Sequence, residues 1–234
     1  MPWRRRPPRS DPARVPSAPW VYVRGACVFG AAVTAAIILA AGLSRRMGRP
    51  KLLLEVEGRP IIRHAVERVI SAGIHQVFVV AGPEHEALAG AIEGLPVRFV
   101  VNPTPEAGQG SSVSVGVRAL PAGTTAVLIA LGDQPGVPAE VIPALLEALK
   151  TSGKRIAAPR YADGLGNPVL FAATVFPELL ALPGDRGARA VVLRDSSRLA
   201  LVTIGSPMPR DIDTPEDYAR LSAPDNPTET EGPR

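Results

Sequence analysis

Short, wholly apolar runs ending in glycine or a polar turn recur along the chain, and they alternate with stretches whose apolar residues fall at helical spacing. The first run holds Ile37, Ile38 and Leu39 and drops into Ala40, Ala41 and Gly42. Residues 76–81 (Q-V-F-V-V-A), 97–101 and 126–131 (A-V-L-I-A-L) repeat the form. A run apolar on both faces predicts a parallel strand covered by helices on either side. Between the first two runs, Ile61, Ile62, Ala65, Val66, Val69 and Ile70 share one face of a helix that starts near Pro60 and ends at Gly73. The segment before it, 52–60, reads as extended and closed by Gly58. Further helices are expected over 84–93, after Gly110-Ser111-Ser112, and over 139–150.

Four strand–helix repeats predict an α/β fold: a doubly wound, mostly parallel, Rossmann-like sheet with right-handed crossovers in a single domain. Beyond them lie a strand at 155–158, a polar glycine-rich turn over 161–171 and a strand-like V-L-F after Asn167-Pro168. A short helix over 173–180, a strand over 199–204 and a helix opening at Thr214-Pro215 complete the pattern.

Composition narrows the picture. With 46% hydrophobic and 21% charged residues, the 234-residue chain suits a soluble globular protein of one domain plus tails. Aromatic residues at 4% are too few for a surface that stacks single-stranded nucleic acid. The net charge of +4 is misleading, because residues 1–24 hold six arginines against Asp11. The remainder is close to neutral, and no nucleic-acid partner is expected. One cysteine, Cys27, excludes an internal disulfide. His64, His75 and His85 lack metal-ligand spacing and read as structural or solvated.

Arg4, Arg5 and Arg6 followed by the apolar stretch 25–42 have the outline of an export signal or a short membrane helix. That stretch continues unbroken into the loop at Gly42, so cleavage or lipid burial would remove the first strand. The expectation is a cytoplasmic protein with no membrane partner. Residues 1–32 are expected to be a disordered, dispensable extension, 33–221 the domain, and 222–234 a disordered tail rich in Pro, Thr and Glu.

The candidate chemistry starts at the end of the first strand. Small residues at 40–42 let the backbone approach a ligand, and Arg45, Arg46, Arg49 and Lys51 follow. Exposed N–H groups beside cations make an anion site, with a polyphosphate as the expected occupant. The alternative is a plain loop with solvated cations. Gly108 and Gly110 before Ser111 and Ser112 suggest close approach of another group, against the alternative of serine helix capping. Asp133 stands at the tip of a buried strand, where open parallel sheets bind ligands, and a metal ion is its natural partner there. Asp211 and Asp213 are one residue apart and in an extended segment point to the same side. Asp213 is preferred over Asp211 as a second metal ligand.

L-A-A-G-x-S-x-R-M-G-x-x-K, from Leu39 to Lys51, resembles the signature of nucleotidyltransferases that act on the molybdenum cofactor. The closer likeness is to the cytidylyltransferase branch, because the guanylyltransferases carry a glycine where this chain has Ala41. The resemblance extends over most of 35–220, through G-x-x-S-S at 108–112, G-D-Q-P at 132–135, G-N-P-V-L-F at 166–171 and G-D-x-G-A-R at 184–189. It implies a nucleotidyltransferase fold that transfers CMP from CTP to a phosphorylated small-molecule acceptor, foremost molybdopterin, with Mg²⁺ as cofactor.

By resemblance, Leu39, Ala40, Ala41, Gly42, Gly82 and Ser112 line the nucleotide pocket. Arg46 contacts the outer phosphates and Lys51 the α-phosphate. Asp133, with Asp213, holds the metal. Asn167, Asp185 and Arg189 fall in the acceptor half, although a turn plus helix cap accounts for 184–189 equally well. A sugar- or polyol-phosphate acceptor, or a protein that only delivers the cofactor to an apo-molybdoenzyme, stands as the rival reading.

Overall fold

The computed structural model describes residues 33–42, 44, 47–83 and 85–222. The extension at 1–32, the tail beyond 222 and Arg46 lie outside the described residues.

The chain enters on β1 (Thr34–Ala40), makes a tiny hairpin of β2 (Glu55–Val56) and β3 (Arg59–Pro60), and continues into α1 (Ile61–Ser71). β4 (Gln76–Ala81), α2 (Glu86–Ala91), β5 (Val97–Val101), α3 (Gln109–Arg118) and β6 (Ala126–Leu131) follow in alternation. Then come α4 (Val141–Ser152), β7 (Ile156–Tyr161), β8 (Gly164–Leu165) and β9 (Val169–Ala172). The chain closes with α5 (Phe176–Leu180), α6 (Arg189–Val192), β10 (Leu199–Thr203) and α7 (Pro215–Ser222).

The main sheet runs β10-β7-β9-β6-β1-β4-β5, with β8 paired to β7. β9 is antiparallel to both neighbours; β1, β4, β5 and β6 are mutually parallel, as are β7 and β10. Alternation along β1 sends Ala36 and Ile38 into one core layer and Ala35 and Ile37 into the other. Ile61, Ile62 and Val66 of α1 and Ile142 and Leu145 of α4 cover the first face. Val113 and Val117 of α3, Leu179 of α5 and Val191 of α6 cover the second. Two covered faces explain why the strands read as continuous apolar runs rather than alternating ones.

The predicted helices and strands hold, with shifted ends and one misread segment. Residues 51–60 are not one extended stretch. Lys51–Leu53 form a single 3-10 turn, and the two-residue strands β2 and β3 pair antiparallel across Glu57 and Gly58. Both of those turn residues take positive φ, at 51° and 71°. The turn is local chemistry that an apolar L-L-L run conceals.

Candidate active site

Register sets the position of the site. Leu39 pairs with Val80 of β4 on one side and Leu131 of β6 on the other, so the three strands end at one edge. After β1 the chain moves outward through β4 and β5, then returns to β6 on the opposite side of β1. The crevice at such a reversal, beyond the C-terminal strand ends, is where open α/β sheets bind ligands.

Lys51 is brought there by its 3-10 turn. Its backbone N–H donates to Ser44 Oγ at 3.3 Å, and the N–H of Leu54 donates to its carbonyl. The side chain is only 11% exposed and points its ammonium between two carboxylates. Nζ lies 2.6 Å from Asp133 Oδ2 and 2.7 Å from Asp213 Oδ1. Burial by itself lowers the pKa of an ammonium. Here the charges and hydrogen bonds of Asp133 and Asp213 outweigh it, and Lys51 titrates above an ordinary lysine.

The second carboxylate of the 211–213 pair has a different partner. Asp211 Oδ1 accepts from Gln134 Nε2 at 2.6 Å. Burial, and then the nearby charge of Asp133, push the Asp211 carboxyl above the usual aspartate range. Ile212 between them is buried in the core, so Asp211 and Asp213 face the same way, as the i, i+2 spacing predicts. Asp133 follows the tip of β6 and caps no helix. α4 begins at Val141, eight positions on, and its N-terminus has no side-chain cap.

Two adjoining lobes open from this point. The inner one, about 230 Å³, is lined by Leu39, Ala40, Ala41, Gly42, Lys51, Ser112, Asp133 and Asp211, together with Pro105, Gly108 and Gln109. The outer one, about 940 Å³, shares Ala40, Ala41, Gly42, Leu52 and Pro105 with it and extends over Gly82, Arg49 and Glu86. Of the residues expected to bind nucleotide, Leu39, Ala40, Ala41, Gly42, Lys51 and Ser112 therefore line one lobe, Gly82 lines the adjoining one, and Arg46 lies outside the described residues.

The serine loop differs from its capping alternative. α3 starts at Gln109, its N-cap position is Gly108 at φ 101°, and no side chain caps it. Ser111 and Ser112 instead accept hydrogen bonds from the buried Asn102 amide at 2.8 and 2.9 Å. The close approach anticipated at Gly108 and Gly110 is made by the chain itself. A Cβ on Gly108 would meet the Gly184 carbonyl oxygen at 2.3 Å, and one on Gly110 the Pro183 carbonyl oxygen at 2.3 Å. The Gly110 N–H donates to the Gly184 carbonyl at 2.8 Å. Conversely, a Cβ on Gly184 would meet the Ala107 carbonyl oxygen at 2.0 Å. The 183–187 turn thus pins the start of the helix that carries Ser112 to the cavity.

Asn167, Asp185 and Arg189 line neither lobe. The Asn167 carbonyl accepts from the Tyr161 hydroxyl at 2.9 Å, and Arg189 Nη1 donates to the Leu165 carbonyl at 3.0 Å. Both contacts hold the 164–168 turn. Burial pushes the Tyr161 phenol up to about 12, so it stays a donor there. Among the histidines, His64 and His85 each spend a ring nitrogen on a backbone carbonyl, of Val56 and Pro83.

Three features of the centre escaped the sequence reading: the Lys51 bridge, the inner-lobe residues Pro105 and Gln109, and the Gln134–Asp211 pair. The last had a signal, since Gln134 directly follows Asp133 in G-D-Q-P.

The donor set fits a hard divalent cation. The oxygens of Asp133 and Asp213 converge on one cationic centre within hydrogen-bonding distance. Among the described residues no group of three or more His, Cys, Asp or Glu side chains could hold a metal ion. A pair of carboxylates that relies on waters and substrate phosphates for the remaining ligands is the arrangement Mg²⁺ favours over an all-protein cage.

The fold, with a buried cation between carboxylates at the reversal point of its doubly wound sheet, is that of an α/β nucleotidyltransferase. The chain belongs to the MobA-like NTP transferase domain family, whose match runs over residues 36–199. It is 34% identical over 192 residues to the purine catabolism protein PucB of Bacillus subtilis, covering 78% of this chain and 92% of that one. It is 31% identical over 195 residues to nicotine blue oxidoreductase of Paenarthrobacter nicotinovorans, covering 79% and 94%. The crystal structure of Rv0371c from Mycobacterium tuberculosis superposes with a TM-score of 0.73 at 29% identity, over 83% of this chain and 99% of that one. Rv0371c has also been solved in complex with manganese, matching at a TM-score of 0.69. Among the described residues, no helix is long and apolar enough to cross a membrane.

Proposed function

We propose that this nucleotidyltransferase-family chain transfers CMP from CTP to the phosphate of a small acceptor, foremost molybdopterin, and releases pyrophosphate. The observation that supports it is the convergence of Lys51, Asp133 and Asp213 at the crevice between β1 and β6, directly beneath the 40–42 loop.

In this reading the nucleotide lies in the cleft formed by the two lobes, against Leu39, Ala40, Ala41, Gly42, Gly82 and Ser112. Lys51 leaves the carboxylates and moves to the α-phosphate, where it stabilises charge as a phosphate oxygen of the acceptor attacks. The new bond forms to the α-phosphorus, the bond to the β-phosphate bridging oxygen breaks, and pyrophosphate leaves. Arg46 holds the departing end. Asn167, Asp185 and Arg189, which line neither lobe, are assigned to the acceptor half by resemblance alone. A Mg²⁺ ion held by Asp133 and Asp213 supplies neutralisation of phosphate charge. Positioning and electrostatics suffice, with no covalent enzyme intermediate.

Ala41 carries the choice of base. A methyl group on the loop disfavours the bulkier purine, and one such group contributes about 1–3 kcal/mol. CTP is therefore expected to be preferred over GTP by about ten- to a hundredfold. Ala41→Gly narrows that gap without reversing it. The test is pyrophosphate release from each of the four nucleotides at matched concentrations by both proteins. A wild-type preference for GTP contradicts the CTP assignment, and equal use of all four contradicts base reading at this loop.

A further inference from the structure

Gln134 is buried at 3% exposure, directly after Asp133, yet it does not line the inner lobe. Nε2 donates to Asp211 Oδ1 at 2.6 Å and lies 3.4 Å from the Pro209 carbonyl. Beside it, the Asp133 carbonyl accepts from the Ile212 N–H at 3.4 Å. Two consecutive residues of the β6 tip thus grip the 209–212 segment, one through its side chain and one through its backbone. Downstream, Thr214 and Asp217 close a reciprocal cap on α7, with Asp217 Oδ2 also accepting from the Asp213 N–H at 3.3 Å. Asp213 stands between these two anchors.

The choice of glutamine is informative. Its Oε1 is buried and has no hydrogen-bond partner among the described residues. A buried polar atom left unpaired is destabilising, so what the side chain contributes here is the N–H it donates. A carboxylate at this position would stand 2.6 Å from that of Asp211 and repel it. Leucine or methionine would fill the volume but hold nothing.

We propose that Gln134 is a positioning residue: by holding Asp211 it fixes the 209–213 segment so that Asp213 meets Asp133 around a single cation. The inference rests on reading Asp133 and Asp213 as the metal-holding pair. Asp211 then acts as a tether whose charge is dispensable, while its hydrogen-bond acceptor is not.

The test is the Kd of Mn²⁺ for the full chain, followed by the electron paramagnetic resonance signal of the free ion, with thermal unfolding measured in parallel. Gln134→Met removes the donor at similar volume and should weaken Mn²⁺ binding about tenfold or more, the scale of losing a partner that orients a metal ligand. Asp211→Asn keeps an acceptor for Gln134 and should leave the Kd within about threefold of wild type. The exchange Gln134→Glu with Asp211→Asn keeps volume and net charge and rebuilds the bond with its polarity reversed, so it should restore binding.

A folded Gln134→Met protein with the wild-type Kd overturns the proposal, as does an exchange variant that binds about tenfold more weakly than wild type. If Gln134→Met does not fold, the exchange variant decides alone. Mn²⁺ binding that survives Asp133→Asn unchanged overturns the metal pair itself, and the role of Gln134 with it.

Discussion

The ammonium of Lys51 lies 2.6 Å from a carboxylate oxygen of Asp133, 82 positions away in the chain, and occupies the place where two carboxylates converge. The residue expected to meet the α-phosphate is therefore the counter-ion of the residues expected to hold the metal. In the proposed reaction, nucleotide binding draws Lys51 away and leaves the carboxylate pair open to a divalent ion.

The exchange predicts a result for the metal alone. Lys51→Met removes the resident cation, so Mn²⁺ without nucleotide should bind more tightly, by about tenfold or 1.4 kcal/mol. Turnover should fall by about 10²-fold or more, as for loss of one preorganised electrostatic contact. Free Mn²⁺ titration of both proteins checks the first effect. Equal or weaker binding by the variant contradicts the exchange.

Glycine substitutions should separate interlocked from open positions. Gly110→Ala would force a methyl group within 2.3 Å of the Pro183 carbonyl oxygen. Overpacking against backbone of this kind costs about 1–3 kcal/mol. Gly90 in α2 has nothing within 4 Å of an added Cβ. Gly90→Ala should therefore stabilise the fold by about 0.5–1 kcal/mol, the helical cost of glycine. Urea midpoints for the two variants test the contrast, and a tolerated Gly110→Ala contradicts the interlock.

Much of this fold was legible because buried parallel strands leave an unambiguous trace. The β1 and β6 runs and the small residues after β1 put Ala40–Gly42 and Asp133 at strand ends from the sequence alone. β9 was legible as a strand but not in direction, since four apolar residues look alike parallel or antiparallel. Its place between β6 and β7 depends on long-range pairing. The glycines at 108 and 110 signalled close approach, but sequence could not name the partner: Gly184, which meets them, reads from sequence as part of a turn before a helix cap. The Lys51 bridge was hidden for a similar reason: a lysine in a cationic loop reads as an anion ligand, and its own counter-ions lie far along the chain.

The half of the molecule around α5 offers a pH test. Glu178 is gripped by Arg198 Nη1 and Nη2 and by Arg194 Nη1. Hydrogen bonds from Arg198, with the arginine charges, hold its carboxyl below the usual value of 4.5. The unfolded chain takes up this proton at higher pH than the folded one, so the contribution is present above that value and lost as pH falls through the folded pKa. Glu178→Gln should destabilise by about 1 kcal/mol near pH 7, the upper range for a partly exposed pair. The difference should shrink as pH is lowered from 7 through the depressed folded pKa. A gap that stays constant between the two conditions contradicts the ion-pair account.

The central claim is transfer of a nucleotide, and it is tested most directly with CTP labelled at the α-phosphate. Incubated with the protein, Mg²⁺ and molybdopterin, the label should move to the acceptor as CMP while one pyrophosphate appears per transfer. Asp133→Asn should remain folded and lose about 10²-fold or more of that rate. No pyrophosphate from any of the four nucleotides with this acceptor or with sugar and polyol phosphates, or undiminished transfer by Asp133→Asn, would contradict the account.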